Sequence, residues 1–414
     1  MRIYNLSGIF SGQGFVNCDG RRPKFTDCGY LNGPIDVVYD QGSGLIQGIE
    51  PTNKSILNSR EPFIDGTGLV ATAGFVDSHT HAIFAGTRSE EYFLRWSGAT
   101  YAEVAAKGGG IHNTTKATSD ASDFDLLELT KDRLSQMMRL GSTTVEIKSG
   151  YGTTGADEIR LLRILRTLQV SPQLPRIYKT FLGLHALPKK YNEKEFVDEM
   201  ISALSVVSQE KLADFVDAFP ERGFFSLSEA QRFTKSAARL GIPSKIHADE
   251  LSDLGSTEAF VNEKSLSVDH LQKISQAGIK ALANSNTVAT FLPATSFFLG
   301  LEYTNARAII NAGARFALAT DYNPGTAPEL SMPFTLKLAA AQLKLSPAEI
   351  LCGATFGGAA ALGAEKTFGT LTQGKSADIL LWSTHHARAE TCLDDICLGQ
   401  AALKKVIVRG NPLA

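Results

Sequence analysis

Between about residues 71 and 362, apolar and polar positions repeat one unit, which is a short apolar run, a loop, an amphipathic helical pattern and a glycine. The apolar runs are rich in Val, Ile, Phe and Thr and do not alternate cleanly with polar residues. Such runs are typical of strands buried on both faces of a parallel sheet. We therefore expect eight strands, at Phe75–His81, Thr143–Ser149, Ile177–His185, Phe215–Glu221, Ser244–Glu250, Ser267–Leu271, Val288–Pro293 and Arg315–Asp321.

The segments between these strands carry helix start and stop signals. Ser226 and Glu229 have the spacing of a capping box. Gly241 follows the apolar face of that helix, and Gly313 follows the helix before the eighth strand, as expected of glycines that end helices. Strand–helix alternation eight times over predicts an α/β fold, a (β/α)8 TIM barrel. A doubly wound open sheet is the competing architecture, and the count of eight strands disfavours it.

Both ends of the chain depart from the repeat. Short β-like runs, separated by glycines and prolines, lie at Leu6–Phe10, Ile35–Tyr39, Leu45–Ile49, Asp378–Trp382 and Lys405–Val408. Two β-rich flanks around a barrel predict a small β-sandwich module formed by both termini. We expect residues 1–70 to be its N-terminal part, residues 71–365 to be the barrel, and residues 366–414 to be its C-terminal part.

Composition and charge narrow the function classes. The 414 residues are 43% apolar and 20% charged, as in ordinary globular proteins. A formal net charge of -2 gives no general reason to bind nucleic acid or an anionic membrane. The five cysteines form no C-x-x-C pair, which suggests neither a disulfide framework nor a thiolate zinc site and favours a reducing compartment. The N-terminal residues lack an apolar core of signal-peptide length, so we expect a cytoplasmic location.

Histidines lie where the predicted strands end. Residues i and i+2 of a strand point to one side, so His79 and His81 should converge at the C-terminal end of the first strand. Barrel active sites are built at that end, and two imidazoles suit a borderline divalent metal ion. Four other predicted strands also end in or near a polar side chain: His185, His247, His270 and Asp321. Because a buried unpaired polar group costs about 1–3 kcal/mol, a purely structural role for this whole set is disfavoured.

One motif has a context that argues against its usual chemistry. Gly369–Ser376 fits the pattern G-x-x-x-x-G-K-[ST] of a phosphate-binding loop. Such a loop follows a strand and opens a helix, whereas the next residues, Ala377–Trp382, are typical of a strand. We therefore expect a turn that enters the terminal β module.

The order of these motifs resembles a known family. A His-x-His pair, a fifth-strand His, a sixth-strand His and an eighth-strand Asp resemble the amidohydrolase superfamily over nearly the whole chain. Within it, the sequence is most similar to the imidazolonepropionase family. The matching stretches are His79–Arg88, Gly98–Tyr101, Gly108–Ile111, Thr144–Gly152, Phe181–Pro188, Lys245–Glu250 and Ala319–Gly325. The chain departs from the family pattern at Ala73 and Ser78, where Pro is common, and at Pro220, where Cys is common.

The resemblance implies a metal site whose ligands are His79, His81, His247 and Asp321. Superfamily members with two metals bridge them by a carbamylated lysine at the end of strand four. The predicted fourth strand, Phe215–Glu221, contains no lysine. The resemblance therefore implies one divalent or trivalent metal ion per chain, either zinc or iron. Nitrogen and oxygen ligands alone do not distinguish these two metals.

The resemblance also implies catalytic roles around a metal-activated water. Asp321 would accept the proton of that water, and His270 would polarise the substrate carbonyl. Glu250 would bond the substrate ring and deliver a proton to the leaving amide nitrogen. Arg88 would bind a substrate carboxylate through its planar fork, whereas Glu90 and Glu91 are expected to be surface charges. The complete set of implied substrate contacts is Arg88, Tyr151, His185, Glu250, Asn323, Gly325 and Thr326.

The activity implied is hydrolysis of the cyclic amide of 4-imidazolone-5-propanoate to N-formimidoyl-L-glutamate in histidine degradation. A second interpretation is another mononuclear amidohydrolase, such as an aminohydrolase or deaminase of a heterocyclic base, which would not need Arg88, Tyr151 and His185 together. A third is a non-catalytic scaffold, which the intact metal positions disfavour. The expected partner is a small-molecule substrate, with no nucleic acid and no membrane, and a homodimer is left open.

Overall fold

The computed structural model describes residues 1–58, 62–98, 109–384 and 388–413. Residues 99–101 and Gly108, which belong to two of the family-like stretches, lie outside the described residues. The strands are β1 (Arg2–Phe10), β2 (Tyr30–Asp40), β3 (Leu45–Pro51), β4 (Phe63–Asp65), β5 (Leu69–Ala73), β6 (Phe75–Asp77), β7 (Ser142–Lys148), β8 (Arg176–Leu184), β9 (Phe215–Ala218), β10 (Lys245–Ala248), β11 (Ser267–His270), β12 (Val288–Phe291), β13 (Arg315–Leu318), β14 (Ile379–Ser383), β15 (Ala402–Val408) and β16 (Asn411–Pro412).

Helices connect the strands of the repeat and cover its outer face. The α-helices are Gln13–Asn17, Ser89–Trp96, Ile111–Asp120, Asp123–Arg139, Gly155–Gln169, Glu193–Gln209, Leu227–Arg239, Ser256–Asn262, Gln276–Ala283, Pro293–Leu299, Ala306–Ala312, Met332–Ala341, Pro347–Cys352, Gly358–Ala361 and Ala389–Cys397. Short 3-10 helices occupy Phe25–Cys28 and Lys54–Asn58, and a π-helical turn occupies Gly353–Gly357. None of the helices in the described ranges is long and apolar enough to cross a membrane.

The central strands β6 to β13 close into a barrel. They form two parallel four-stranded sheets, β6-β7-β8-β9 and β10-β11-β12-β13. On one side, Val216 of β9 pairs with Ser244, which immediately precedes β10. On the other side, Thr80 pairs with Tyr322, and the backbone N–H of His81 donates to the Tyr322 carbonyl at 2.9 Å. The predicted (β/α)8 fold class is confirmed.

The strands end earlier than the apolar pattern predicts. β6 ends at Asp77, although the pattern predicts a strand up to His81. β10 and β13 end at Ala248 and Leu318, so Glu250 and Asp321 lie in the loops that follow. The backbone of Asp321 is left-handed, with φ of 54°, and it lies beside the bridge between Thr80 and Tyr322.

The helix signals are confirmed in part. The Ser226 hydroxyl accepts from the Glu229 N–H at 3.4 Å and caps the helix Leu227–Arg239. The second half of the predicted capping box is wrong, because the Glu229 carboxylate pairs with Arg232 at 2.6 Å instead. Gly241, predicted to end this helix, has φ of 78°, a conformation that glycine adopts without strain.

Strands from the two ends of the chain share one eight-stranded sheet. Its order is β16-β15-β14-β5-β1-β2-β3, with β4 beside β1. Ile3 and Leu6 of β1 pack with Ile379 of β14 in its apolar core. Trp382 of β14 joins this sheet to the barrel, since its ring lies 5.9 Å from that of Phe75 in β6. The residues after Gly369–Ser376 form β14 and no helix, as predicted.

Candidate active site

A cavity of about 590 Å³ lies at the C-terminal ends of the barrel strands. Its lining is His81, Arg88, Arg95, Ile111, Tyr151, His185, Phe219, Phe224, His247, Glu250, Leu251, His270, Leu299, Leu301, Asp321, Asn323 and Thr326. Most of the predicted site residues therefore share one cavity. His79, one of the two not in this lining, is fully buried, and Gly325 is the other.

The four predicted ligands converge at the bottom of the cavity. Oδ1 of Asp321 lies 3.5 Å from Nε2 of His79 and 3.5 Å from Nε2 of His81. Nε2 of His247 lies 3.4 Å from Nε2 of His81. Ligand atoms arranged tetrahedrally at 2.0–2.2 Å from a zinc ion are about 3.3–3.6 Å apart. The three distances among these atoms therefore match the edges of a tetrahedral zinc site.

Two further histidines stand beside this group. A nitrogen of His270 lies within 4.8 Å of nitrogens of His79 and His247, so His270 is close enough to compete as a ligand. The His185 ring stacks on His81, with centroids 4.9 Å apart. Nδ1 of His185 lies 2.9 Å from the Gly150 carbonyl, and donation to that oxygen leaves Nε2 as the free acceptor of the ring.

Burial decides the protonation of these histidines. It lowers the pKa of His79, His81, His247 and His270 well below the ordinary value, and the buried Lys148 adds to the effect. Burial also lowers the pKa of His185 to about 3, and the neighbouring His247 lowers it further. Neutral imidazoles are the form that binds metal ions.

Beneath the histidines, five fully buried charged side chains form a cluster that we call the charged layer: Glu146, Lys148, Asp217, Lys245 and Asp269. Nζ of Lys148 lies 2.7 Å from Asp217 and 2.8 Å from Glu146. Nζ of Lys245 lies 3.7 Å from Glu146 and 3.8 Å from Asp269. Burial acts to lower the pKa of Lys148, but the three carboxylates outweigh it and raise that pKa above its ordinary value. Lys148 is therefore an ammonium ion held among carboxylates.

The charged layer orients two of the predicted ligands. Oδ2 of Asp269 lies 2.6 Å from Nδ1 of His79, and Oδ2 of Asp217 lies 3.0 Å from Nδ1 of His247. A carboxylate at Nδ1 favours the tautomer that carries its proton there and leaves Nε2 free as a ligand. Both Nε2 atoms face the convergence point as a result.

Asp321 is held by a second set of contacts. Its Oδ2 accepts from the Thr295 hydroxyl at 2.5 Å, and its backbone N–H donates to the His79 carbonyl at 3.0 Å. Burial raises the pKa of Asp321 to about 7. A cation beside the carboxylate would lower that pKa again.

Glu250 lies in the loop after β10, on the wall of the cavity. Its Oε2 is 3.6 Å from Nε2 of His270. Its loop is held by Glu221, which accepts from the N–H of Leu251 at 2.9 Å. Burial raises the pKa of Glu250 well above its ordinary value, and the charges of Asp321 and Glu221 raise it further. A carboxyl group with a raised pKa keeps its proton to a higher pH than an ordinary carboxyl group, which suits it to donate a proton.

Tyr151 is positioned by a buried carboxyl group. It lies in the loop after β7, and the Glu158 carboxylate accepts from the backbone N–H groups of Gly150 at 2.9 Å and Gly152 at 2.5 Å. The Tyr151 ring lies 6.1 Å from that of His81. The predicted contact residue thus stands beside the candidate metal site.

The loop after β13 carries three predicted contacts. The Asn323 side chain accepts from the N–H groups of Gly325 at 2.8 Å and Thr326 at 2.7 Å. Its amide also donates to the Thr326 hydroxyl at 2.7 Å. Asn323 therefore shapes the loop. A Cβ at Gly325 would lie 1.8 Å from Nη1 of Arg88, so the end of that side chain would have to move to admit one.

Arg88 lines the cavity, but it has a partner that the sequence did not indicate. Its Nε and Nη2 lie 2.9 and 2.8 Å from Oε2 of Glu91. The other oxygen of Glu91 accepts from the Gly110 N–H at 3.0 Å. The expectation that Glu91 is a surface charge is wrong, because it is only 6% exposed in this pair. Glu90 is exposed, as expected.

The sequence analysis missed other residues of the cavity. Arg95 lines its mouth, and Phe219 and Phe224 form an apolar wall with ring centroids 4.8 Å apart. Arg95 follows Arg88 by two helical turns, and residues at that spacing share one face of a helix. The sequence could therefore have predicted that Arg95 lies near Arg88. The lysines of the charged layer had a signal too, because Lys148 and Lys245 interrupt runs that otherwise predict buried strands.

Comparison with known proteins places the chain in a family. Residues 70–413 match the model of the amidohydrolase family. An imidazolonepropionase of Fusobacterium nucleatum is 40% identical over 356 residues, which are 86% of this chain and 84% of that protein. An imidazolonepropionase of Symbiobacterium thermophilum is 44% identical over 328 residues, which are 78% of this chain and 76% of that protein.

Solved structures agree with the fold. An adenosine deaminase of Xanthomonas campestris with bound zinc aligns with a TM-score of 0.72 at 16% identity, covering 99% of this chain and 92% of that one. An atrazine chlorohydrolase of Arthrobacter aurescens in complex with zinc aligns with a TM-score of 0.70 at 17% identity, covering 100% and 95%. With the barrel and the convergent site in place, these similarities show that the chain belongs to the imidazolonepropionase family of amidohydrolases.

Proposed function

We propose that this enzyme hydrolyses the cyclic amide of 4-imidazolone-5-propanoate to N-formimidoyl-L-glutamate, a step of histidine degradation. The observation that carries the proposal is a single cavity with two kinds of group. Three imidazole nitrogens and a carboxylate converge at its bottom, and two guanidinium groups stand at its mouth. The first set suits a hydrolytic metal ion, and the second suits the propionate arm of the substrate. The named relatives support the same substrate.

One metal ion is proposed at the convergence of His79, His81, His247 and Asp321. Nε2 of His79 is buried and has no hydrogen-bond partner among the described residues. Nε2 of His81 and Nε2 of His247 face each other, so a shared cation gives all three atoms a partner. In the charged layer two lysines face three carboxylates, and this excess negative charge together with Asp321 suits a divalent cation. Zinc in two fold neighbours makes zinc the first metal to test and iron the second.

The environment of Lys148 supports a single metal ion. Lys148 ends β7 close to the histidines, where a carbamylated lysine could bridge two ions. Its Nζ instead pairs with Asp217 and Glu146 as an ammonium ion, which leaves no free amine for carbamylation. β9, the fourth barrel strand, has the sequence FVDA and contains no lysine.

When bound, such a cation lowers the pKa of a coordinated water to about 7 and so supplies a nucleophile at neutral pH. Asp321 would help to hold the cation, and its carboxylate would accept the proton of the attacking water. Neutral His270 donates a hydrogen bond to the carbonyl oxygen, where negative charge develops. Glu250 donates its proton to the ring nitrogen as the carbon–nitrogen bond breaks.

The test is turnover by zinc-loaded protein. We expect consumption of imidazolonepropionate and formation of formimidoylglutamate, with no ammonia released from heterocyclic amines such as adenine or cytosine. Ammonia release from such an amine, without imidazolonepropionate hydrolysis, would favour the alternative aminohydrolase. No turnover of any substrate by fully metal-loaded protein would contradict the proposal.

His270 has its own test, since it lies near enough to be a ligand. We expect His270→Ala to keep its metal ion, measured by elemental analysis, and to lose about 10²-fold or more in kcat. Loss of the metal together with the activity would make His270 a ligand and overturn its assignment.

A further inference from the structure

Glu221 is a buried carboxylate to which the proposed mechanism gives no role. It lies in the turn after β9, is 2% exposed and is not part of the cavity lining. Its Oε1 accepts from the Arg222 N–H at 2.8 Å and from the Ser252 hydroxyl. Its Oε2 accepts from the N–H groups of Leu251 at 2.9 Å and Ser252 at 3.1 Å. All four partners are donors, which matches an ionised carboxylate, because that form only accepts hydrogen bonds.

Three of these four donors lie beside the proposed proton donor. They belong to Leu251 and Ser252, the two residues that directly follow Glu250 in the loop after β10. Two of them are backbone N–H groups, so Glu221 fixes the main chain of this loop and not only a side chain. The backbone position of Glu250 therefore depends on a carboxylate from the neighbouring strand end.

The same loop is held from its other side by Asp249. The Asp249 carboxylate accepts from the N–H and hydroxyl groups of Ser256 and Thr257 at 2.6 to 3.2 Å. Those two residues begin the helix that follows the loop. Glu250 thus stands between two carboxylate clamps, of which only Glu221 reaches outside the segment that runs from β10 into this helix.

The turn that carries Glu221 also carries an apolar wall of the cavity. The Glu221 N–H donates to the Phe225 carbonyl at 3.1 Å, and the Glu221 carbonyl accepts from the Phe224 N–H at 2.9 Å. Phe219 and Phe224 line the cavity. Through Glu221, the loop of Glu250 is joined to the turn that forms this wall.

We propose that Glu221 is a positioning residue for Glu250, because its carboxylate fixes the loop after β10 to the turn after β9. Glu250 is then held within reach of the ring nitrogen that takes its proton. This inference rests on the proposed function, in which Glu250 is the proton donor. Glu221 itself does not touch the substrate and acts only through the position of Glu250.

The experiment is a double-mutant cycle in kcat for imidazolonepropionate, measured on zinc-loaded protein. Glu221→Gln keeps the size of the side chain but turns an NH₂ group toward donors in place of one oxygen. A misplacement of about 1 Å can cost about 10²-fold in rate, so we expect a loss of about 10–100-fold in kcat. In the Glu250→Gln background, the same change should cost less than about threefold, because the group that it misplaces has already been removed.

A second readout does not depend on activity. Hydrogen exchange followed by mass spectrometry reports on the amide hydrogens of Leu251 and Ser252, which Glu221 accepts. These should exchange faster in Glu221→Gln than in the parent. Ser252→Ala removes the hydroxyl donor alone and should lower kcat less than Glu221→Gln does. It keeps the cycle with Glu250→Gln measurable if Glu221→Gln does not fold.

The matched control is Glu349→Gln. Glu349 is a buried carboxylate, 6% exposed, that bonds Arg307 and the Ser346 N–H and is not part of the cavity lining. Its substitution should leave kcat within about threefold of the parent and leave the exchange of Leu251 unchanged. Metal content should equal that of the parent in every variant.

Three results would overturn the inference. Equal losses of kcat with and without Glu250 would make Glu221 a purely structural residue. Undiminished kcat in Glu221→Gln would show that its carboxylate is not needed to place the proton donor. Unchanged exchange at Leu251 and Ser252 would show that it does not hold the loop. Failure of the proposed function looks different, since the parent would then not hydrolyse imidazolonepropionate even where Glu221→Gln speeds the exchange.

Discussion

The bottom and the mouth of the cavity both contain buried charged side chains, but they differ in how completely these charges are paired. At the bottom, each cation of the charged layer lies among carboxylates, and two of these carboxylates hold His79 and His247 by Nδ1. At the mouth, Arg88 is paired with Glu91, whereas Nε and Nη1 of Arg95 have no hydrogen bond to another described residue within the geometric limits. The charges of the bottom are thus paired with one another, although Nε2 of His79 above them has no hydrogen-bond partner among the described residues. We propose the bottom as the site of a resident cation and the mouth as the site of the substrate anion.

The largest effect is expected at the bottom, from Asp321→Asn. The amide keeps the shape of the side chain but loses the charge proposed to bind the cation and the oxygen proposed to accept the proton. We expect kcat to fall by about 10³–10⁴-fold, at the upper end for an acid–base residue. Steady-state kinetics and elemental analysis of the same preparation measure it. A variant that kept both its metal ion and more than a tenth of its activity would break the assignment.

The charged layer should be sensitive to the loss of one cation. Lys148→Met leaves Glu146 and Asp217 without their closest positive charge. Removing one partner from a buried ion cluster costs about 3–5 kcal/mol, so we expect a large drop in the free energy of unfolding by urea. The matched control is Lys116→Met on the surface, where Lys116 pairs with exposed Asp120 and little change is expected. Equal effects of the two substitutions would contradict the distinction between layer and surface.

Glu250 is expected to determine whether kcat rises or falls at high pH. Its pKa is raised by burial, then by Asp321 and Glu221, so the protonated form persists above the range of ordinary carboxyl groups. A proton donor is active only while protonated, so kcat should fall as the pH rises through this pKa. We expect Glu250→Gln to lose about 10²-fold in kcat and to lose this limb of the pH profile. A loss below about threefold, or an unchanged limb, would remove Glu250 from the proton transfer.

An effect on stability alone is expected at Glu158, which holds the loop that carries Tyr151. Burial raises its pKa to about 7 from an ordinary value of 4.5. Between these pH values the folded chain holds a proton that the unfolded chain releases, so stability falls as the pH rises. Relative to the parent, Glu158→Gln should gain up to about 3 kcal/mol in its free energy of unfolding between pH 4.5 and pH 7.5. Urea titrations at both pH values measure this, and a constant difference would contradict it.

The sequence predicted the barrel well because its signal is local. Each strand is a short apolar run, and the glycines after Leu240 and Ala312 mark helix ends that both exist. The ends of the strands were less predictable, since β6 stops at Asp77 where the chain turns toward the partner that closes the barrel. That turn depends on Tyr322, which is distant in sequence. The domain boundaries near residues 70 and 365 and the cytoplasmic location stay predictions.

The candidate site was predictable as a set of strand-end residues but not as a network. His79, His81, His247 and Asp321 converge as the resemblance implies. Glu91 was misjudged because its burial depends on Gly110, nineteen positions away in the chain. Spacing along one strand or helix shows which side chains share a face, but it does not show which charges will meet across the barrel.

The most direct test of the account is anomalous X-ray diffraction from crystals of zinc-loaded protein, recorded at the zinc absorption edge. The account predicts one peak per chain, bounded by Nε2 of His79, His81 and His247 and by the carboxylate of Asp321. Two peaks per chain would contradict the single-metal site that the pairing of Lys148 supports. A single peak held by His270 or His185 in place of one of these ligands would contradict the assignment of the bottom of the cavity.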